Sequence, residues 1–267
     1  MSEPTRGVAI VTGGAQGIGL GIARALSDAG YRLALADINE EGARRSAAEM
    51  GDGAMGLALD VADAAGWARV VGEVTARWGR IDVLANNAGI SPRGTVESTD
   101  EALWERTLAI NLKGPWLGIR ACLPWLKQTR GAIVNTGTTR ATRPMPGLFP
   151  YITSKAGLLG LTRQVAVECL EHGVTCNMVA PGWVDTPGER VIQAGLGRPD
   201  FPAGLRNLIT PEEVGAAVAY LASPAGRRVT GMIVYVDAGL HIADDAGMVY
   251  LPGVAHARYH QQPGGDS

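Results

Sequence analysis

No block of lysine and arginine occurs in this chain, and no apolar run approaches the roughly 20 residues a helix needs to cross a bilayer. The formal net charge is only −2. That balance leaves no electrostatic footprint for nucleic acid or an anionic membrane, so neither is expected as a partner. The opening stretch, MSEPTRGVAI, lacks a basic segment followed by an apolar signal core, and Gly13 and Gly14 soon interrupt its apolar run. Cysteine is scarce. Cys122, Cys169 and Cys176 are odd in number and without metal-ligand spacing, so no metal site is expected; they read as reduced thiols, with the cytoplasm as the expected location. Repeats, low-complexity tracts and a dividing linker are also absent. What remains is an ordinary globular balance of 267 residues, 46% hydrophobic and 19% charged. That is enough for one large α/β domain or two small ones.

The pattern alternates along the chain. Short apolar, β-branched runs (GVAIVT, RLALAD, AMGLALD, IDVLANN, GAIVNTG, VTCNMVAP and GMIVYVDAG) are separated by stretches with helical spacing such as GLGIARALSDAG and AGWARVVGEVTARWG. Strands apolar almost throughout imply burial on both faces, as in a parallel sheet covered by helices. Seven such strands with helical crossovers predict one doubly wound (Rossmann) sheet in a single α/β domain. Residues 186–210 are rich in glycine and proline and break the alternation. The tail after Asp237 ends in HQQPGGDS, whose last residues are expected to fray.

The first strand runs into TGGAQGIG, residues 12–19, and a helix follows at once. Glycines there let the backbone approach a pyrophosphate, and the free N–H groups of the helix start attract its charge. Gly13, Gln16, Gly17, Ile18 and Gly19 are therefore candidate cofactor contacts. Asp37 closes the second strand about 20 residues past the turn, placed to accept from adenosine ribose hydroxyls. A carboxylate there repels a 2′-phosphate, and Ala15, Gln16 and Ile38 supply no cation to offset it, so NAD is expected over NADP. Asp60 and Val61 end the third strand. Asn87, Ala88 and Gly89, in NNAG, end the fourth. Both segments lie where ligands sit in a doubly wound sheet, although Asn, Asp and Gly also serve plain turns. Asn87 reads equally as a brace beside the cofactor.

YITSK, residues 151–155, puts a tyrosine one helical turn ahead of a lysine, a spacing that alone is commonplace. Together with TGGAQGIG, Asp37, Asp60, NNAG, Asn111, IVNTGTT, NMVAPGWVDT and GMIVYVDAG, in that order, it resembles the compact single-domain branch of the short-chain dehydrogenase/reductase family over about residues 6–239. The resemblance implies Tyr151 as general acid/base and Lys155 as the group that binds the nicotinamide ribose and acidifies the phenol. A Tyr titrates near pH 10, and bringing it to about 7 takes roughly 4 kcal/mol. A cation about 4 Å away supplies about that at an effective dielectric near 20. Lys155 alone is thus of the right size, and the positive nicotinamide ring of the cofactor is expected to add to it.

The family's usual third partner is a serine; the matching position here is Thr138, a departure that keeps the hydroxyl but adds a methyl and stiffens χ1. Asn111 matches the helix-bending Asn whose backbone carbonyl holds a proton-relay water, while a side-chain bond to local backbone would be equally compatible. By resemblance, Pro181 and Gly182 shape a turn, Val184 offers its backbone to the carboxamide and Thr186 hydrogen-bonds the carboxamide or pyrophosphate. Met145, Leu148 and Trp183 are candidate walls of a substrate pocket over Tyr151 and Thr138, beneath a lid at 186–210.

Arg93, Arg140 and Arg143 lie on loops near the same rim and could grip an anion, though surface arginines more often do nothing of the kind. His241, His256 and His260 lack metal-type pairing. Residues 240–267 extend past the family's usual end, and apolar Val249, Tyr250, Leu251 and Val254 are expected to pack on a neighbouring subunit or over the pocket. The reading is an NAD(H)-dependent oxidoreductase interconverting a small-molecule secondary alcohol and a ketone, in a homotetramer or homodimer. Two rivals stand beside it. One is a sugar-nucleotide epimerase or dehydratase, disfavoured by TGGAQGIG and the short remainder. The other is a dinucleotide-binding sensor without turnover, suggested by Thr138.

Overall fold

The computed structural model describes residues 6–195 and 208–242. Strands and helices alternate in the order β1 (Gly7–Thr12), α1 (Gly17–Asp28), β2 (Tyr31–Asp37), α2 (Glu40–Glu49), β3 (Ala54–Ala58), α3 (Ala64–Trp78), β4 (Val83–Asn86), α4 (Glu101–Leu108), α5 (Gly114–Thr129), β5 (Ala132–Thr136), α6 (Phe149–Glu168) and β6 (Thr175–Pro181). Then come β7 (Trp183–Val184), α7 (Pro187–Gly195), β8 (Leu208–Ile209), α8 (Pro211–Ala222) and β9 (Ile233–Val236).

The seven apolar runs form one parallel sheet in the order β3-β2-β1-β4-β5-β6-β9. Because alternate residues of a strand face opposite ways, each strand feeds two cores. Val8 and Ile10 of β1 join Leu84 and Ile133 against Trp67, Val70 and Val74 of α3 and Leu117 and Leu126 of α5. Ala9 and Val11 join Val83 and Val134 against Ile22 and Leu26 of α1 and Val214, Val218 and Leu221 of α8. Burial on both faces is why these strands show no polar alternation. The chain winds outward in both directions from β1, which pairs with β2 on one side and β4 on the other. A crevice opens there, beyond the carboxyl ends of the strands.

Two local features bear on the site. Between α4 and α5, residues Ala109–Lys113 form a π-helical turn centred on the fully buried Asn111, so the helix is wider where the sequence implied a bend. Residues 187–195, read as an irregular break, form α7. Proline is tolerated in a first helical turn, and the Thr186 hydroxyl accepts the Glu189 N–H at 3.1 Å, so capping outweighs the glycine content. Residues 196–207 of the expected lid and the tail from 243, with its predicted packing of Val249, Tyr250, Leu251 and Val254 and with His256 and His260, lie outside the described residues.

Candidate active site

The glycine turn after β1 is built for close approach. Gly13 takes φ +67°, in the left-handed region, and a Cβ on Gly19 would collide with the Gly13 carbonyl. Asp37 receives the Ala15 N–H at 3.1 Å on one oxygen and the Asn39 N–H at 2.9 Å on the other. The carboxylate is thereby fixed at the edge of a cleft of about 410 Å³ lined by Gly13, Gln16, Gly17, Ile18, Asp37, Asp60, Val61, Asn87, Ala88, Gly89 and Thr186. These were candidates on sequence grounds; Ile38, Leu59, Ile90, Arg106, Ile110, Pro187 and Gly188, which also line the cleft, were not. Asp60 itself accepts the Ala62 N–H at 2.9 Å, and the Val61 carbonyl accepts Trp67 Nε1 at 3.0 Å.

Asn87 is a brace as well as a wall: its Nδ2 donates to the Thr12 carbonyl at 3.1 Å. The Thr12 hydroxyl in turn accepts the N–H groups of Asn87 (2.9 Å) and Ala88 (3.0 Å), tying the end of β4 to the end of β1. Thr12 was not singled out from sequence, since a hydroxyl one residue before a glycine turn has no local signature. Nor was Arg106, the one basic side chain among the described residues lining this cleft.

Further along, a second cavity of about 400 Å³ shares Ile18, Asn87, Gly89, Ile90, Thr186 and Gly188 with the first, so the two form one continuous groove. It brings together Thr138, Tyr151, Lys155, Pro181, Gly182, Trp183, Val184 and Thr186. Tyr151 and Lys155 stand one turn apart in α6 and share a face. The helix is pinned there from outside. Asn111 Oδ1 accepts the Ile90 N–H at 2.9 Å, while its Nδ2 donates to the Ile90 carbonyl (2.8 Å) and to Ser154 Oγ (3.0 Å). Ser154 Oγ donates on to the Tyr151 carbonyl at 2.6 Å. Asn111 therefore stands behind the cavity as a support.

Trp183 is 8% exposed, and its Nε1 donates to Glu189 at 2.8 Å. Neither Met145 nor Leu148 is among the described residues that line the groove. Leu148 is buried at the start of α6, bridging to Gly94, because the flanking N–H of Phe149 donates to the Gly94 carbonyl at 2.9 Å and draws the segment away. Arg93, Arg140 and Arg143 are also absent from the described lining; Arg143 donates to the Leu240 carbonyl at 2.7 Å.

The electrostatics differ from expectation. Lys155 is 5% exposed, and its ammonium donates to the Thr136 carbonyl at 2.8 Å. Burial lowers its pKa from 10.5 to about 8. The Tyr151 phenol is raised above its ordinary value: burial dominates, a hydrogen bond with Thr138 pulls the other way, and the Glu189 charge adds to the rise. Removing the hydroxyl from water outweighs the lowering by Thr138. At neutral pH the phenol is protonated, the form that can donate to a carbonyl oxygen.

A switch-point crevice with a glycine turn, an acid at the end of β2 and a phenol beside a buried lysine defines an oxidoreductase that uses a nicotinamide dinucleotide. The chain belongs to the short-chain dehydrogenase/reductase family. A family model described as enoyl-(acyl carrier protein) reductase matches residues 13–241. The D-threitol dehydrogenase of Mycolicibacterium smegmatis is 38% identical over 247 residues, covering 88% of this chain and 93% of the relative. The 3-oxoacyl-acyl-carrier-protein reductase of Vibrio cholerae is 33% identical over 239 residues, covering 88% and 97%. Among solved structures, the 3-ketoacyl-(acyl-carrier-protein) reductase of Brucella melitensis, complexed with NADH, superposes with a TM-score of 0.81 at 27% identity, covering 89% of this chain and 99% of the other. No helix among the described residues is long and apolar enough to cross a membrane.

Proposed function

We propose that the protein is an NAD(H)-dependent dehydrogenase/reductase that interconverts a secondary alcohol and a ketone, with Tyr151 as general acid/base. The observation that carries this reading is the meeting, in one groove, of the phenol, its Thr138 partner and the buried Lys155 ammonium with the turn at Pro181–Thr186. When bound, the dinucleotide supplies the hydride donor or acceptor. The remaining work falls to the chain. Tyr151 gives its proton to the ketone oxygen in reduction and takes the hydroxyl proton in oxidation. Thr138 hydrogen-bonds the phenol and orients the substrate oxygen, its extra methyl narrowing the space beside it. Lys155 offers its ammonium to the ribose, and Asn111, by holding Ser154 and Ile90, keeps the helix carrying the phenol in register.

The preference for NAD over NADP is supported by the Asp37 carboxylate, locked by two backbone donors at the end of β2, whose charge would repel a 2′-phosphate. The relative named D-threitol dehydrogenase is compatible with an alcohol substrate. Acyl thioesters, named in the Vibrio relative, are the competing substrate class. We further propose a homotetramer or homodimer. An apolar groove lined by Trp104, Leu108, Leu112, Trp116 and Leu161 sits on the face shared by α4, α5 and α6, where a second copy would cover it. The test of function is a panel of secondary alcohols, ketones and acyl thioesters with NAD(H) and NADP(H), read by nicotinamide absorbance. Turnover of alcohols with NAD is expected. Stoichiometric dinucleotide binding without turnover of any of them refutes the proposal.

A further inference from the structure

One charged side chain in the groove has no part in the proposed proton transfer. Glu189, in the first turn of α7, lines the same cavity as Tyr151, Thr138, Trp183 and Ile192. Two donors hold it: Trp183 Nε1 at 2.8 Å and Gln193 Nε2 at 2.6 Å. Trp183 and Gln193 are 8% and 1% exposed, so both are themselves fixed by packing. Both donors reach the same oxygen, Oε1, and neither uses the second. A carboxylate has about four lone-pair sites, so this one keeps capacity for a donor arriving from the cavity. The other ionisable groups on the described lining are Tyr151 and Lys155, and the Lys155 ammonium is engaged with the Thr136 carbonyl. Arg93, Arg140 and Arg143, which sequence placed near the rim, are not among the described residues lining this cavity. Among the described lining residues Glu189 is thus the anion, set opposite the cation of Lys155, and it is the negative charge that a substrate meets there.

We infer that Glu189 selects the substrate class of this pocket, favouring neutral molecules that carry a second hydroxyl beside the reacting carbon, such as a vicinal diol or polyol, and disfavouring hydroxy acids. The inference rests on the proposed oxidoreductase reading and names the substrate for that same site. A hydroxyl next to the reacting carbon donates to the spare carboxylate oxygen, whereas a substrate carboxylate meets a like charge in a partly dehydrated space. The same charge acts on the phenol: of the groups facing Tyr151, the Thr138 bond lowers its pKa and Glu189 raises it.

A purely structural role for Glu189 is the rival explanation, since an acid in a first helical turn favours the helix dipole and here anchors an indole. Glu189→Gln separates the two, because the amide keeps an acceptor oxygen for Trp183 and Gln193 but removes the charge. Wild type and variant are assayed with NAD against a four-carbon secondary alcohol, its vicinal diol and its hydroxy acid, each kcat/KM taken as a ratio to the simple alcohol within the same protein. In the wild type the diol is expected to lead and the hydroxy acid to trail. In the variant the diol ratio falls and the hydroxy-acid ratio rises, each by about tenfold. Ratios unchanged within about twofold overturn the inference while leaving the oxidoreductase reading intact.

If the wild type turns over none of these alcohols, the oxidoreductase reading is what fails. Glu189 is then judged by the ultraviolet phenolate titration that disappears in Tyr151→Phe. That titration is expected at lower pH in Glu189→Gln than in the wild type, and an unmoved titration refutes the inference.

Discussion

Replacing Lys155 by methionine separates the energetic role of this side chain from its chemical one. Lys155 is 5% exposed and holds the Thr136 carbonyl at 2.8 Å. Its pKa falls from 10.5 to about 8 on burial. Below about pH 8 both folded and unfolded chains carry the proton, and the fold bears the whole cost of the buried charge. At about 1.36 kcal/mol per pH unit, the drop from 10.5 to about 8 amounts to about 3 kcal/mol. Between about pH 8 and 10.5 the unfolded chain binds more protons at this position than the folded one, so stability rises with pH. Between about pH 7 and 9.5 the rise is about 2 kcal/mol.

Methionine has no such linkage. Subtracting the urea-unfolding free energy of Lys155→Met from that of the wild type, at matched protein concentration, cancels the other groups that titrate in both. The difference should move by about 2 kcal/mol in favour of the wild type over that interval. Loss of the bond to Thr136 adds an offset of about 1–3 kcal/mol that does not vary with pH, so the slope is the readout. The variant should also lose at least about a hundredfold in kcat. Parallel stability curves would refute the account of a charge held against burial, and an undiminished kcat would refute a role in the reaction.

Three further outcomes follow from the geometry. Tyr151→Phe should lower kcat by about a thousandfold or more; it leaves NADH affinity, measured by quenching of intrinsic tryptophan fluorescence, within about threefold, and a retained kcat would remove the phenol from the mechanism. Asp37→Ser should raise kcat/KM with NADP relative to NAD by about tenfold or more, since it removes a fixed negative charge from the edge of the cleft; an unchanged ratio would show that selectivity lies elsewhere. Trp116 is 44% exposed within the apolar groove of α4, α5 and α6, so Trp116→Asp should shift the sedimentation coefficient toward a smaller species, whereas an unaltered coefficient would place the subunit interface on another face.

Much of the fold was legible because its signals are short in range. The seven strands were marked by continuous apolar runs, and the turn after β1 by glycines whose need for φ +67° or for space beside a carbonyl is local. Tyr151 and Lys155 were legible as a pair because helical spacing alone puts them on one face. The place of Thr186 in the groove was legible but not its part in capping α7, since glycine and proline in the same stretch pointed to irregular chain. The course of the segment carrying Met145 and Leu148 was not legible, because nearness in sequence to Tyr151 does not set the direction of a loop, which here is tied to the Gly94 backbone.

Sequence by itself therefore determined the doubly wound architecture and the placing of Tyr151 and Lys155 on one helical face, which rest on periodicity and on spacing within single elements. Tertiary structure alone decided the charge and protonation around that pair. Glu189 comes to the phenol from another helix, Thr136 from a strand takes up the Lys155 ammonium, and packing removes the water that would have screened both. A pKa depends on everything within a few ångströms, whatever its distance along the chain, and that neighbourhood exists only once the chain has folded.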